Sequence, residues 1–241
     1  MRKTYLWFLF AVVGLWAAVV GNAQTPNLEP NAQTPAAKPP SVTFDFNFPG
    51  ATPEHYSIAV ESSGRAAYRC DDPTRPDAKA GDPYIVKFVV SEPTRARIFD
   101  LAKALNYFHG DFDYRKTRVA NMGIKTVTYT NGEKESHTSY NYTTNSQLQE
   151  LTALFQSIGA TLDHGRQLTY LYRYDKLGLD AETKQMEADA KNNRLAELQA
   201  VQPILEKIAK DHGVINVTRR RAEYLLSLVK SNPAAEAAAP N

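Results

Sequence analysis

Cysteine is almost missing from this chain. Cys70 is the only one in 241 residues, so no disulfide can form within it. Stability must come from a hydrophobic core, which a chain of this length can bury. Asp71 and Asp72 follow the cysteine, and their charge disfavours the thiolate that a nucleophile needs. Cys70 therefore reads as a structural residue. Also missing are a Gly-rich phosphate loop, a His-Glu-x-x-His helix and a Gly-x-Ser-x-Gly elbow. The motifs imply no cofactor. Without a catalytic motif, the sequence leaves open whether the protein is an enzyme.

Long hydrophobic runs are scarce too, with one exception at the start. Arg2 and Lys3 precede an apolar run over 5–20, and Gly21-Asn22-Ala23 follows it. This is the pattern of a secretory signal over 1–23, cut before Gln24. An uncut anchor is the alternative, with Trp7 and Trp16 as interfacial aromatics. However, the run is shorter than the roughly 20 residues that span a bilayer comfortably. A lipid anchor would need a cysteine just after the run. The expectation is a periplasmic or secreted protein with no membrane insertion after cleavage.

Charge of one sign is lacking once the signal is removed. The whole chain carries 28 Lys and Arg against 26 Asp and Glu. Cleavage removes Arg2 and Lys3 and no acid, so the mature chain is formally neutral. Neutrality argues against nucleic acid as a partner.

Five prolines fall within 24–40, and Asn-Ala-Gln-Thr-Pro occurs at 22–26 and again at 31–35. A segment this poor in apolar surface reads as a disordered, flexible tether over 24–41. The Ala- and Pro-rich stretch 232–241 reads as a disordered tail. Between them the pattern predicts an α+β fold. An antiparallel sheet with helices packed on one face occupies 42–160, and a C-terminal α-helical extension containing a helical hairpin occupies 161–231.

Within the first part, Val42, Phe44, Phe46 and Phe48 alternate with polar residues, the period of a half-buried strand. Segments 56–61 and 65–69 flank Ser62-Ser63-Gly64 as a hairpin. The apolar run 84–90 reads as a central strand. Ser91 is placed to cap a helix that buries Ile98, Leu101, Ala102, Leu105 and Phe108. Asn131-Gly132 predicts a hairpin pairing Tyr129 with Lys134 and Val127 with Ser136. Ser146 with Gln149 suggests a capping box, and Leu148, Leu151, Leu154, Phe155 and Ile158 form the stripe of the helix it opens.

In the second part, the stretch 170–174 continues as helix past the sheet. Asp180 is expected to cap one helix and Asn193 another, with Pro203 either kinking the latter or opening a new one. Gly213 then separates the two arms of the helical hairpin. One such pair falls short of a solenoid.

The order of strand hairpin, strand, helix, Asn-Gly hairpin and helix, over 56–69, 84–108 and 126–158, resembles uncharacterised exported bacterial cell-envelope proteins. These stretches cover under half of the chain. The resemblance implies export and fold, and carries no activity.

Few residues stand out as site candidates. His109, Asp111 and Asp113 would share one side of an extended segment, with nitrogen and oxygen donors suited to a divalent ion. A polar loop after an amphipathic helix has the same composition. Ser227 and Lys230 match Ser-x-x-Lys, without the Lys-Thr-Gly that accompanies it in penicillin-interacting enzymes. His137, His164 and His212 read as isolated. Arg219, Arg220 and Arg221 point around more than half a helix and form no single patch. Tyrosine is abundant, with thirteen in all, and Tyr140, Tyr142, Tyr170, Tyr172 and Tyr174 cluster where the sheet part gives way to helices. Tyrosine suits an interface or the margin of a core. Asn141 and Asn216 open glycosylation sequons, discounted for a bacterial-type export.

Together these features predict a non-catalytic exported binding protein with a protein partner in the cell envelope. The alternative is a secreted hydrolase of cell-wall or extracellular polymer, whose paired carboxylates only the fold would bring together.

Overall fold

The computed structural model describes residues 38–71 and 83–231. The proposed signal, nearly all of the tether and the C-terminal tail lie outside the described residues.

Alternating apolar residues build six strands: β1 (Ser41–Asn47), β2 (His55–Glu61), β3 (Arg65–Asp71), β4 (Pro83–Val89), β5 (Ile124–Asn131) and β6 (Lys134–Tyr140). They form one antiparallel sheet in the order β4-β3-β2-β1-β5-β6. Period-two alternation sends Val42, Phe44, Ile58, Val60, Tyr68, Cys70 and Val127 to one face, where all are fully buried. The other face carries Thr43, Asp45, Ser57 and Thr126, half-buried, and His137, exposed.

Helices cover the apolar face, as an α+β fold requires. They are α1 (Glu92–Ala104), α2 (Ser146–Tyr174), α3 (Leu179–Lys191), α4 (Gln202–Lys210) and α5 (Asn216–Ser231). Short 3₁₀ turns occupy Asn106–Phe108 and Leu198–Val201. The expected stripe of α1 is buried as read. Phe155 of α2 stacks on Phe44 of β1 with ring centroids 5.2 Å apart.

Two glycines let α2 approach its neighbours. A Cβ on Gly159 would meet the Tyr56 ring at 3.0 Å, and one on Gly165 would run into the Val201 side chain. The helix continues without a break across the expected border between 160 and 161. Leu162 and Leu168 beyond it belong to the same core as the sheet.

Several local expectations are corrected. Among the described residues β4 is an edge strand, not a central one. Its apolar run is not buried on both faces: Ile85 and Val89 are exposed, and Tyr84, Val86 and Phe88 are only half-buried. The Asn-Gly hairpin turns one residue later, around Gly132 and Glu133, so Tyr129 pairs with Ser136 and Val127 with Thr138. A shift of two in register preserves the inward and outward faces. Asn145, not Ser146, caps α2, its Oδ1 accepting the Leu148 N–H at 3.0 Å. Gln149 donates instead to the Thr143 carbonyl.

In the helical part, Gly178 precedes α3 and Asp180 sits in its first turn. Asn193 opens no helix, because it takes a left-handed conformation at φ 55°. Pro203 lies in the first turn of α4, where its missing N–H costs nothing. The helical hairpin consists of α4 and α5, with Gly213 in the turn.

Candidate binding groove

Among the described residues β4 ends the sheet, and the helical layer stops short of covering it. A groove of about 860 Å³ opens there between β2–β4 and the segment 199–206. Ala66 and Phe88 line it from the sheet, and Ala200 and Pro203 from the helical side. Small side chains at Ala66 and Ala200 leave the space. Pro203 starts α4 beside it without requiring a partner for a backbone N–H.

The 199–206 wall is pinned to the sheet part by Glu197. Its Oε2 accepts the Ser91 N–H at 2.7 Å, and its Oε1 accepts the hydroxyls of Ser91 and Thr94 at 2.7 and 2.6 Å. Ser91 is therefore the residue before α1, as the sequence suggests, but its hydroxyl does not cap α1. Glu197 takes a left-handed conformation at φ 58° to reach it.

The carboxylates facing the groove are both engaged. Glu61 accepts from Arg65 Nε at 2.9 Å and from Ser63 at 3.0 Å. Arg65 holds its carboxyl below the usual range. Glu206 accepts from Gln202 at 2.8 Å and lies 3.4 Å from Lys210; these two hold it below the usual range as well. A general acid needs a carboxyl whose proton is retained near neutral pH. Neither is arranged that way.

The remaining sequence candidates disperse. Asp111 and Asp113 converge on Arg115 at 3.2 and 3.1 Å. Asp113 also accepts the Asn141 N–H at 3.0 Å. Although burial works to raise the Asp113 carboxyl, these hydrogen bonds hold it below the usual range. His109 is exposed and contributes nothing to this arrangement. Among the described residues no three His, Cys, Asp or Glu side chains gather as a metal site.

Ser227 donates to the Tyr224 carbonyl at 2.6 Å, and Lys230 is exposed. The arginine run divides. Arg219 meets His212 at 3.4 Å, Arg220 is exposed, and Arg221 binds Asp180 and Glu187 of α3. Tyr140 is buried and bonds Thr152 at 2.6 Å; Tyr170 and Tyr174 pack on each other at the end of α2. Asn141 uses its side chain on Ala120 and Met122, whereas Asn216 is exposed. Cys70 is fully buried on β3, and His137 is exposed on β6.

Three ionic features are not visible in the sequence pattern. His164 is not isolated, because it bridges Glu182 and Asp189. His55 bridges Asp45 and Asp71 on the open face of the sheet. Strand register is the missing signal there, since Asn47 stands opposite His55 and brings Asp45 within reach. Lys125 is buried, donating to the Met122 and Asn141 carbonyls at 2.8 and 2.9 Å. Burial lowers its pKa.

No family model and no curated protein matches the chain.

Proposed function

We propose that this is an exported, non-catalytic binding protein of the bacterial periplasm or cell envelope. Its groove takes an extended segment of a partner polypeptide alongside β4. The observation that carries this reading is the groove itself, which opens beside an edge strand whose exposed Val89 lines it, with Ile85 exposed farther along the same strand. Among the described residues, β4 pairs only with β3. Its outer edge therefore offers a row of backbone donors and acceptors that another extended chain satisfies. Alternate side chains of such a segment would reach into the groove toward 199–206. By contrast, a hydrolase acting in this groove would have to work with Glu61 and Glu206, which are held in the ionised state. Export rests on the leader pattern over 1–23.

The test places a photo-crosslinker at Ile85 and, as a control, at His137 on β6. Both variants are expressed in cells with the native leader. A discrete protein adduct is expected from position 85 and not from 137. Val89→Lys should reduce it severalfold by adding a charge to the edge. The purified mature chain should begin at Gln24. A monomer with no adduct at 85 and a measurable turnover on a cell-wall polymer would sink the binding reading.

A further inference from the structure

Helix α3 is gripped on two opposite faces. Asp180 and Glu187 lie two turns apart on one face, and Arg221 of α5 spans them, with Nη1 2.5 Å from Asp180 and Nε 3.3 Å from Glu187. Glu182 and Asp189 repeat the same spacing, two residues farther on. That offset rotates them about 200° around the helix, to the face toward α2. There His164 spans them: Nδ1 lies 2.6 Å from Glu182 Oε1 and Nε2 lies 3.3 Å from Asp189 Oδ2.

The two cations differ in one respect. A guanidinium keeps its charge at every accessible pH, whereas an imidazole does not. Both ring nitrogens of His164 face carboxylate oxygens, so both must carry protons for both contacts to be hydrogen bonds. A neutral ring would present a lone pair to one of the carboxylates. Little water is available to compensate, with His164, Glu182 and Asp189 side chains 12 %, 20 % and 15 % exposed.

We propose that His164 is a proton-loaded latch: its imidazolium fastens α3 to α2, and loss of one proton loosens that face while Arg221 keeps α3 on α5. Asp189 is the end that lets go first, because its contact is the longer one. Gln185 and Arg194 also reach Asp189, at 3.0 and 3.4 Å. Loosening therefore extends from the end of α3 into 192–196, where Asn193 holds a left-handed conformation, and stops at Glu197, which Ser91 and Thr94 hold in place.

Burial raises the carboxyl of Asp163, which also interacts electrostatically with His164 and Glu182. On α2, Asp163 is bonded to Arg166 at 2.9 Å. From the sheet, the buried phenols of Tyr56 and Tyr68 sense Asp163. Burial acts to lower the His164 pKa, but Glu182 and Asp189 outweigh it and hold the ring above its ordinary 6.5. The latch is thus complete below that value and opens as pH rises through the folded one.

Two measurements on the full mature chain test this. Ring ¹⁵N spectra should show His164 doubly protonated at pH 6 and losing one proton only above the ordinary 6.5 of a histidine. Amide exchange, corrected for intrinsic rates, should show protection over 182–196 falling as the ring deprotonates. The fall should be about tenfold for each factor of ten by which the folded ring holds its proton more tightly than a free histidine. Protection in α5 should stay constant. His164→Gln should abolish the pH response of α3, and His55→Asn should leave it intact. A neutral His164 ring at pH 6, or flat α3 protection across its titration in the wild-type chain, overturns the proposal whether or not the variants fold.

Discussion

Glu197 and Ser91 stand 106 residues apart in sequence, yet the carboxylate of one accepts both the backbone N–H and the hydroxyl of the other at 2.7 Å. This contact joins the start of α1 to the segment that leads into the groove wall. Both residues are buried, at 8 % and 4 % exposure, so water cannot substitute for a lost partner. Glu197→Ala should therefore lower stability by about 1.5–3 kcal/mol, read from urea denaturation. Loss of under about 0.5 kcal/mol would mean that the groove wall is held by other contacts.

Phe155→Ala should cost about 3–5 kcal/mol, because the ring is fully buried and stacks on Phe44 at the centre of the sheet. Phe155→Leu keeps most of the volume and should recover more than half of that loss. Thermal or urea unfolding of the three proteins gives the comparison.

Gly165→Ala should destabilise by about 1–3 kcal/mol through overpacking, since the added methyl enters the space of Val201. Helix propensity acts in the opposite direction, favouring Ala over Gly by about 1 kcal/mol. Adding Val201→Ala should therefore relieve the single variant's loss in a double-mutant cycle. Simple additivity would show that the clash relaxes by another route.

His55 lies 2.8 Å from Asp45 and 3.3 Å from Asp71. Burial lowers its pKa less than the two carboxylates raise it, so the net direction is upward from 6.5. A raised histidine contributes stability that is complete below the unfolded value and vanishes as pH rises through the folded one. Asp45 and Asp71 are 38 % and 61 % exposed, so solvent screening limits the effect to about 0.5 kcal/mol. His55→Asn should lose that amount near pH 5.5 and almost nothing near pH 9. His164 is present in both proteins and cancels. A loss that grows with pH would contradict the sign.

Much of the fold is legible locally. Val42, Phe44 and Phe46 announce a strand by alternation, and Ile98, Leu101, Ala102 and Leu105 announce a helix face by spacing. The turn at Gly132 lies one residue beyond where the Asn-Gly dipeptide points. A hairpin's loop is chosen by pairing along both strands, not by the dipeptide alone. The cap at Asn145 differs by one residue for a similar reason: adjacent Asn145 and Ser146 are both good caps, and backbone geometry selects between them.

The sites are harder to read. Tyr84, Ile85, Val86, Phe88 and Val89 suggest a central strand, but a run of apolar residues carries no information about how many neighbours a strand has. Likewise His164 gives no hint of Glu182 and Asp189, because helix–helix docking sets which faces meet.

Sequence alone determined the α+β class, most of the strands and helices, and the buried faces of β1 and α1, because hydrophobic period is a local property of the chain. Tertiary structure decided the strand order, which leaves β4 at the edge with a groove beside it. It also decided the long-range polar pairs Glu197–Ser91, His55–Asp45 and His164–Glu182. Those depend on distances between segments far apart along the chain, which close only when the core has packed.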